Sequence, residues 1–137
     1  MIWAFDVDGT LVGSIVNTRL RPGATELLAD LAGRGVTCVL WSAGGRDYAQ
    51  RVASAHGIDG CFVGFYGKEL RDDNGRYRVD HLDHAHRPDA FVDDSPIDMP
   101  NGAYVVAVAQ FIGNNPADRG LHAVLDELDR HMLALQP

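Results

Sequence analysis

Ile2-Trp3-Ala4-Phe5-Asp6-Val7-Asp8-Gly9-Thr10 is the stretch on which the reading of this chain turns. Four apolar residues end abruptly in two carboxylates, Asp6 and Asp8, followed by a glycine and a threonine. The apolar run has the continuous pattern of a strand buried on both faces, as in a parallel sheet. In open α/β sheets, chemistry collects just beyond the carboxyl ends of the strands. Two carboxylates spaced i, i+2 at such an end lie close together and repel. At about 4 Å and an effective dielectric of about 20, the repulsion is about 4 kcal/mol unless a cation or proton intervenes. The segment therefore builds a place for a metal ion.

Strand and helix signals alternate beyond it. Residues 11–21 read as irregular, with Gly13-Ser14 as a turn between short extended pieces. Pro22-Gly23 opens a helix with Leu27, Leu28 and Leu31 on its apolar face, and Gly33 and Gly35 end it. Residues 36–41 form a buried strand ending in Ser42, then the loop Ala43-Gly44-Gly45 and a second helix over 46–56. Residues 61–63 read as a short third strand. Residues 66–88 are polar and irregular, with Asp73-Asn74-Gly75 as a hairpin turn between Leu70 and Val79. A fourth strand over 90–92 runs into Asp93-Asp94, and a fifth covers 104–108. An amphipathic helix over 118–135 closes the chain, its Leu/Val pattern facing the core. Trp3 and Trp41 fall within strands and are assigned to the core. This alternation predicts a single α/β domain over 1–137: a three-layer α/β/α sandwich around a mainly parallel, Rossmann-like sheet.

Composition narrows the function. A chain of 137 residues suits one domain that buries about two-thirds of its unfolded surface. No apolar run approaches a membrane span, and no basic segment precedes the first apolar stretch, so neither a membrane anchor nor a signal peptide is expected. Cys38 and Cys61 form no C-x-x-C motif and read as buried, reduced thiols of a cytoplasmic protein. The net charge of −7 argues against a nucleic-acid binder, which needs a basic face. A phosphorylated ligand remains compatible, because a divalent cation inverts the sign of a local site.

Four strand ends carry residue types that fit one task. Asp6 is placed as a nucleophile, since carboxylates attack phosphorus to form aspartyl-phosphates. Asp8 is placed to protonate the leaving oxygen and later to activate water. Gly9 lets the chain turn sharply, with Thr10 in support. Ser42 offers a hydroxyl, and Ala43 beside it a backbone N–H, to a phosphoryl oxygen. Lys68, the only lysine, offers a point charge to the same oxygens and to the nucleophile. Asp93 and Asp94 add carboxylates for a bridging cation, for which Mg²⁺ suits an oxygen-rich site. Asp98 is placed to hold a metal-bound water or orient a ligand.

Asp6-Val7-Asp8-Gly9-Thr10, Ser42 after a hydrophobic strand, Lys68, and Asp93-Asp94 with Asp98 together resemble the four ordered motifs of the haloacid dehalogenase (HAD) superfamily. The first motif is the specific one; the others gain weight from their order. The resemblance implies that Asp6 is nucleophile and metal ligand and that Asp8 is acid/base with its backbone carbonyl on Mg²⁺. It also implies that Asp94 is the second acidic ligand, with Asp93 in support. Members that cleave carbon–halogen bonds lack an aspartate at the Asp8 position, so its presence implies phosphoryl transfer.

Larger members insert a cap domain between these motifs. Only 33 residues separate Asp8 from Ser42, and only 25 separate Ser42 from Lys68, so the chain reads as capless. An uncapped site is open unless a second copy covers it in a homo-oligomer. It resembles sites that act on bulky phosphorylated substrates, including macromolecular ends, with phosphorylated small molecules such as sugars or nucleotides accommodated in an oligomer. Residues 70–86, with Arg71, Arg76 and Arg78, read either as a solvated basic hairpin or as a substitute specificity element. Arg87 is the alternative to Lys68 as the cationic group. His81, His84 and His86 do not have the spacing of a common zinc site. Among function classes, a Mg²⁺-dependent phosphomonoesterase leads, and a non-catalytic phosphate- or partner-binding module is the alternative. A signalling receiver domain carries its acidic pair early, whereas here the pair comes last.

Overall fold

The strands β1 (Ile2–Asp6), β2 (Thr37–Ser42), β3 (Gly64–Gly67), β4 (Ala90–Asp93) and β5 (Tyr104–Ala107) form one sheet in the order β3-β2-β1-β4-β5. All four neighbouring pairs are parallel. The helices are α1 (Ala24–Gly33), α2 (Arg46–Ala55), α3 (Gly120–Asp126) and α4 (Leu128–Ala134) in this computed structural model, which describes residues 1–137. The chain leaves β1 through β2 to β3, then returns to the other side of β1 for β4 and β5. The reversal opens a crevice at the carboxyl ends of β1 and β4, where α/β sheets bind ligands. Asp6 ends β1 and Asp93 ends β4, so the topology itself brings the acidic residues together.

Register fixes which residues share a face. Trp3 lies opposite Cys38 and Ala90, and Phe5 opposite Leu40 and Val92. These side chains join Leu27, Leu28 and Leu31 of α1, Ala49 and Val52 of α2, and Leu121 and Val124 of α3 in the main core. Each such large apolar side chain contributes about 1.5–3 kcal/mol on full burial. The opposite face presents Ala4, Val39, Trp41 and Phe91, covered by Leu82 and Met99 with Tyr77 and Val79 packed beside them. Its outer layer is thus built from the 70–82 segment and the 3₁₀ turn Pro96–Asp98, where the α/β/α expectation placed helices. Pro88, Pro96 and Pro100 punctuate this part of the chain and prevent a helix from extending through it.

Several local boundaries differ from the expectations. The third strand occupies Gly64–Gly67, not 61–63. The N–H groups of Cys61 and Phe62 are spent on the 3₁₀ turn Asp59–Cys61, donating to Ile58 and Asp59, so sheet pairing begins only at Val63. For the same reason Cys61 is exposed, contrary to expectation, whereas Cys38 is buried and its thiol is pushed up to about 12 by that burial. The closing helix is two helices that meet at Glu127, whose backbone stands at φ −100°, ψ 9°. The buried stripe Leu121, Val124, Leu128 continues through the break. The hairpin turn at Asp73-Asn74-Gly75 falls where expected, whereas the earlier turn is displaced from Gly13-Ser14 to Ile15-Val16, flanked by Ser14 and Asn17. The Ser14 N–H donates to the Asn17 carbonyl at 2.8 Å, and the Asp72 N–H to the Arg76 carbonyl at 2.8 Å.

Candidate active site

Asp6 is 6% exposed and both its oxygens are held. The Thr10 hydroxyl donates to Oδ2 at 2.9 Å, and the Lys68 ammonium donates to Oδ1 at 2.8 Å. Gly9 makes the first contact feasible. At φ +80° it turns the chain back on itself, its N–H donating to the carbonyls of Val12 and Gly13. A Cβ at Gly9 would also sit 2.3 Å from Asp94 Oδ2, so this position needs both the left-handed backbone and the missing side chain.

Ser42 closes β2 and is buried, its hydroxyl accepting the Gly44 N–H at 2.9 Å. Its carbonyl accepts the N–H groups of Lys68 and Gly45, which ties the end of β3 to the exposed loop containing Ala43. Lys68 reaches across to bridge Asp6 and Asp93, the latter at 3.0 Å. Its Nζ stands 5.2 Å from the Trp41 ring centroid and 5.3 Å from that of Tyr77. Burial pulls this ammonium down, but Asp6 and Asp93 outweigh it and hold it above its ordinary value, so Lys68 is charged. Arg87 is exposed and donates only to the Asp80 carbonyl, away from the carboxylates.

The acidic pair divides its work. Asp93 is 1% exposed and accepts from Lys68 and from the Ser95 N–H at 2.8 Å. Asp94 is half-buried, has no cationic partner, and faces the carboxyl of Asp6. Burial, and after it the charge on Asp6, raises Asp93 to about 6. Burial, and then contact with Asp6, raises Asp94 to about 7. Asp6, Asp93 and Asp94 each bring one carboxylate oxygen to within 4.8 Å of the others. Hard oxygen donors with so little compensating charge are the donor set that Mg²⁺ takes, so these residues fit that ion.

Asp98 lies outside this trio. Its carboxylate accepts the Ser95 hydroxyl at 2.7 Å and faces Arg71 at 3.7 Å. The 70–79 hairpin is docked, not solvated. Tyr77 donates its N–H to the Asp98 carbonyl, and Arg76 donates to the Met99 carbonyl. Arg71 lies 4.0 Å over the Tyr77 ring, while Arg78 stays exposed beside Asp80. The histidines go separate ways: His81 bonds the Gly67 carbonyl, His86 bonds the Tyr66 hydroxyl, and His84 is exposed.

A carboxylate fixed at the switch point, with a lysine and a second acidic strand end around it, is the geometry of a phosphoryl-transfer site. The family model for NLI interacting factor-like phosphatases matches residues 3–135. The chain belongs to this family. The family comprises small protein phosphatases of the HAD superfamily, so the chain is a phosphoric monoester hydrolase acting on a phosphorylated substrate. No curated protein matches it, and no helix is long and apolar enough to cross a membrane.

Two residues of this phosphatase gave no signal in the sequence. Asp8 is half-buried and accepts the Tyr48 hydroxyl at 2.5 Å. Burial, and then the Asp8 bond, pushes the Tyr48 phenol well up, so it stays a donor. Arg21 is 1% exposed and donates to Asp118 at 2.6 Å, to the Ala109 carbonyl, and to the carbonyls of Gly9 and Thr10. It thereby fastens the loop after β1 to the segment after β5. A Cβ at Gly120 would lie 2.0 Å from its Nη2, so glycine is required there. Tyr48 lies within the helix over 46–56 and Arg21 directly before Pro22, and neither belongs to a motif.

Proposed function

We propose that this phosphatase cleaves phosphomonoesters through covalent phosphorylation of Asp6, with Asp8 as general acid and then base and Mg²⁺ as cofactor. The observation that carries the reading is the setting of Asp6. Its carboxylate is oriented by Thr10 and Lys68, and it faces Asp94 across the crevice between β1 and β4.

In the first step an Asp6 oxygen bonds to phosphorus, the ester oxygen departs, and Asp8 gives it a proton. In the second, water attacks the aspartyl-phosphate, Asp8 takes its proton, and phosphate leaves with Asp6 restored. Ser42, the Ala43 N–H and Lys68 hold phosphoryl oxygens while charge develops. Thr10 keeps Asp6 aimed, and Asp93 holds Lys68 in reach. Asp98 acts at a distance, bracing the acidic loop through Ser95. Asp6, Asp94 and the backbone carbonyl of Asp8 would hold Mg²⁺, which when bound offsets negative charge on carboxylate and phosphoryl group.

A single domain over 1–137 with an open site suits a bulky substrate such as a phosphorylated protein residue or another macromolecular end. Small phosphorylated molecules remain compatible if a second copy covers the site. The acidic surface disfavours nucleic acid, and the reduced-thiol composition suits the cytoplasm. The deciding experiment is phosphate release from an aryl phosphate. Release that requires Mg²⁺ and vanishes in Asp6→Asn is expected. Ligand binding without turnover would instead indicate the non-catalytic module, and robust turnover by Asp6→Asn would remove Asp6 as nucleophile.

A further inference from the structure

We infer that Tyr48 is a positioning residue for proton transfer: its hydroxyl fixes the Asp8 carboxyl so that Oδ2 is the oxygen that carries the travelling proton. The inference rests on the proposed role of Asp8 as acid and base. Tyr48 donates to Asp8 Oδ1 at 2.5 Å, which leaves Oδ2 without a partner from the protein. An oxygen that accepts a phenol is the poorer proton carrier of the two, so the acid form places its hydrogen on Oδ2.

The tyrosine is built to hold that position. Its ring is 8% exposed and belongs to the main core, so the hydroxyl hangs from a rigid support. The support stands in the first turn of α2, directly after the loop that follows Ser42. That loop is shaped around the ring. A Cβ at Gly44 would come within 2.7 Å of it and within 3.3 Å of Ser42 Oγ. Asp8, by contrast, stands on a loop and is only half-buried, so its own packing does not fix its orientation. One side chain thus ties the residue that handles the proton to the loop that receives the phosphoryl group.

The proton accounting is closed. As the bond from phosphorus to the leaving oxygen breaks, the Oδ2 proton passes to that oxygen and Asp8 becomes a carboxylate. When water bonds to phosphorus, its proton passes to Oδ2, the Asp6–phosphorus bond breaks, and both aspartates return to their starting forms. Tyr48 keeps its own proton throughout.

Tyr48→Phe removes one oxygen and leaves the ring against Gly44. With Mg²⁺ present, the test compares phenyl phosphate, whose leaving group needs a proton, with dinitrophenyl phosphate, whose leaving group does not. The variant should lose about tenfold or more in kcat/KM, which reports only the steps through phosphorylation of Asp6, on phenyl phosphate and no more than about twofold on dinitrophenyl phosphate, with its melting temperature unchanged. Added to Asp8→Asn, it should cost nothing further on either ester. Equal losses on the two esters, no loss on phenyl phosphate, or an additive loss in the double variant would each overturn the inference. Asp8→Asn separates the two levels. If that substitution spares both esters or harms both equally, or if the native protein hydrolyses neither, the acid role itself is gone and the inference falls with it. If Asp8→Asn harms phenyl phosphate selectively and Tyr48→Phe does not, the inference alone fails.

Discussion

At the ends of β2 and β3 the polar groups are matched by the protein, whereas at the ends of β1 and β4 the chain gathers more negative charge than it neutralises. Ser42 accepts from the loop that follows it, and Lys68 has two carboxylates and two aromatic faces around it. Across the crevice, one ammonium serves Asp6 and Asp93 and does not reach Asp94. The consequence is visible in Asp93 and Asp94, raised by burial and by Asp6 to about 6 and about 7. The chain completes one half of the crevice itself and leaves the other half to be completed by what binds there.

Lys68→Met is the harshest way to break this contrast, because it leaves both halves short of positive charge. Lys68 is 6% and Asp6 8% exposed at the side chain, so this is a buried pair whose rupture costs about 3–5 kcal/mol in the metal-free protein. Turnover on an aryl phosphate should fall by about a hundredfold or more, as a positioned charge on the phosphoryl oxygens is lost. Denaturant melts with and without Mg²⁺ should show the ion restoring part of the stability. A variant as stable and active as the native chain would mean that Lys68 is not the counter-charge of the site.

Asp94→Asn sharpens the contrast from the acidic side. It removes one charge that no cation in the protein pairs with, so the metal-free protein should gain stability near neutral pH. The Mg²⁺ concentration for half-maximal turnover should rise by about tenfold or more. An unchanged Mg²⁺ requirement would exclude Asp94 as a ligand.

A gentler probe is pH. A carboxyl whose folded value is raised binds its proton more tightly in the native state than in the unfolded chain. The stability it contributes is therefore full below the ordinary value of 3.8 and is lost as pH rises through about 6 for Asp93 and about 7 for Asp94. The metal-free protein should melt at a lower temperature at about pH 8 than at about pH 5, and Mg²⁺ should raise the melting temperature most at the higher pH. A Mg²⁺ effect independent of pH would show that the acidic half is already balanced.

The unequal halves also explain what could be read in the sequence. Asp6, Asp8, Gly9 and Thr10 were legible because strand end, charge repulsion and tight turn lie within a few consecutive residues. Lys68 was legible through its singularity. Tyr48 meets Asp8 from 40 positions away, and Arg21 meets Asp118 from 97, so neither contact has a local signature. The third strand was hidden for another reason. Gly64-Phe65-Tyr66-Gly67 begins and ends on residues with low strand propensity. Yet a Cβ at Gly64 would lie 2.8 Å from the Tyr66 ring and 2.9 Å from His86 Nδ1. Close packing, not propensity, set that glycine. The arginines of the hairpin misled in the opposite sense, since charge suggested solvent while Arg76 caps a carbonyl and Arg71 lies on an aromatic ring.

Tyr77→Leu is the mildest test, and it asks whether the two halves are electrically separate. Tyr77 covers Lys68 from the hairpin side without touching a carboxylate ligand, and its backbone is held independently through Asp98. Leucine keeps apolar bulk beside Trp41 and removes the π face over Lys68, a contact worth about 0.5–1 kcal/mol, together with the hydroxyl and ring that hold Arg71. Lys68 remains pinned by Asp6 and Asp93, so kcat should fall by about two- to fivefold, and the Mg²⁺ titration should superimpose on that of the native chain. Comparing the two titration curves is the measurement. Should Tyr77→Leu shift the Mg²⁺ requirement as far as Asp94→Asn does, the hairpin would be setting the charge balance of the acidic half, and the division drawn across the crevice would have to be abandoned.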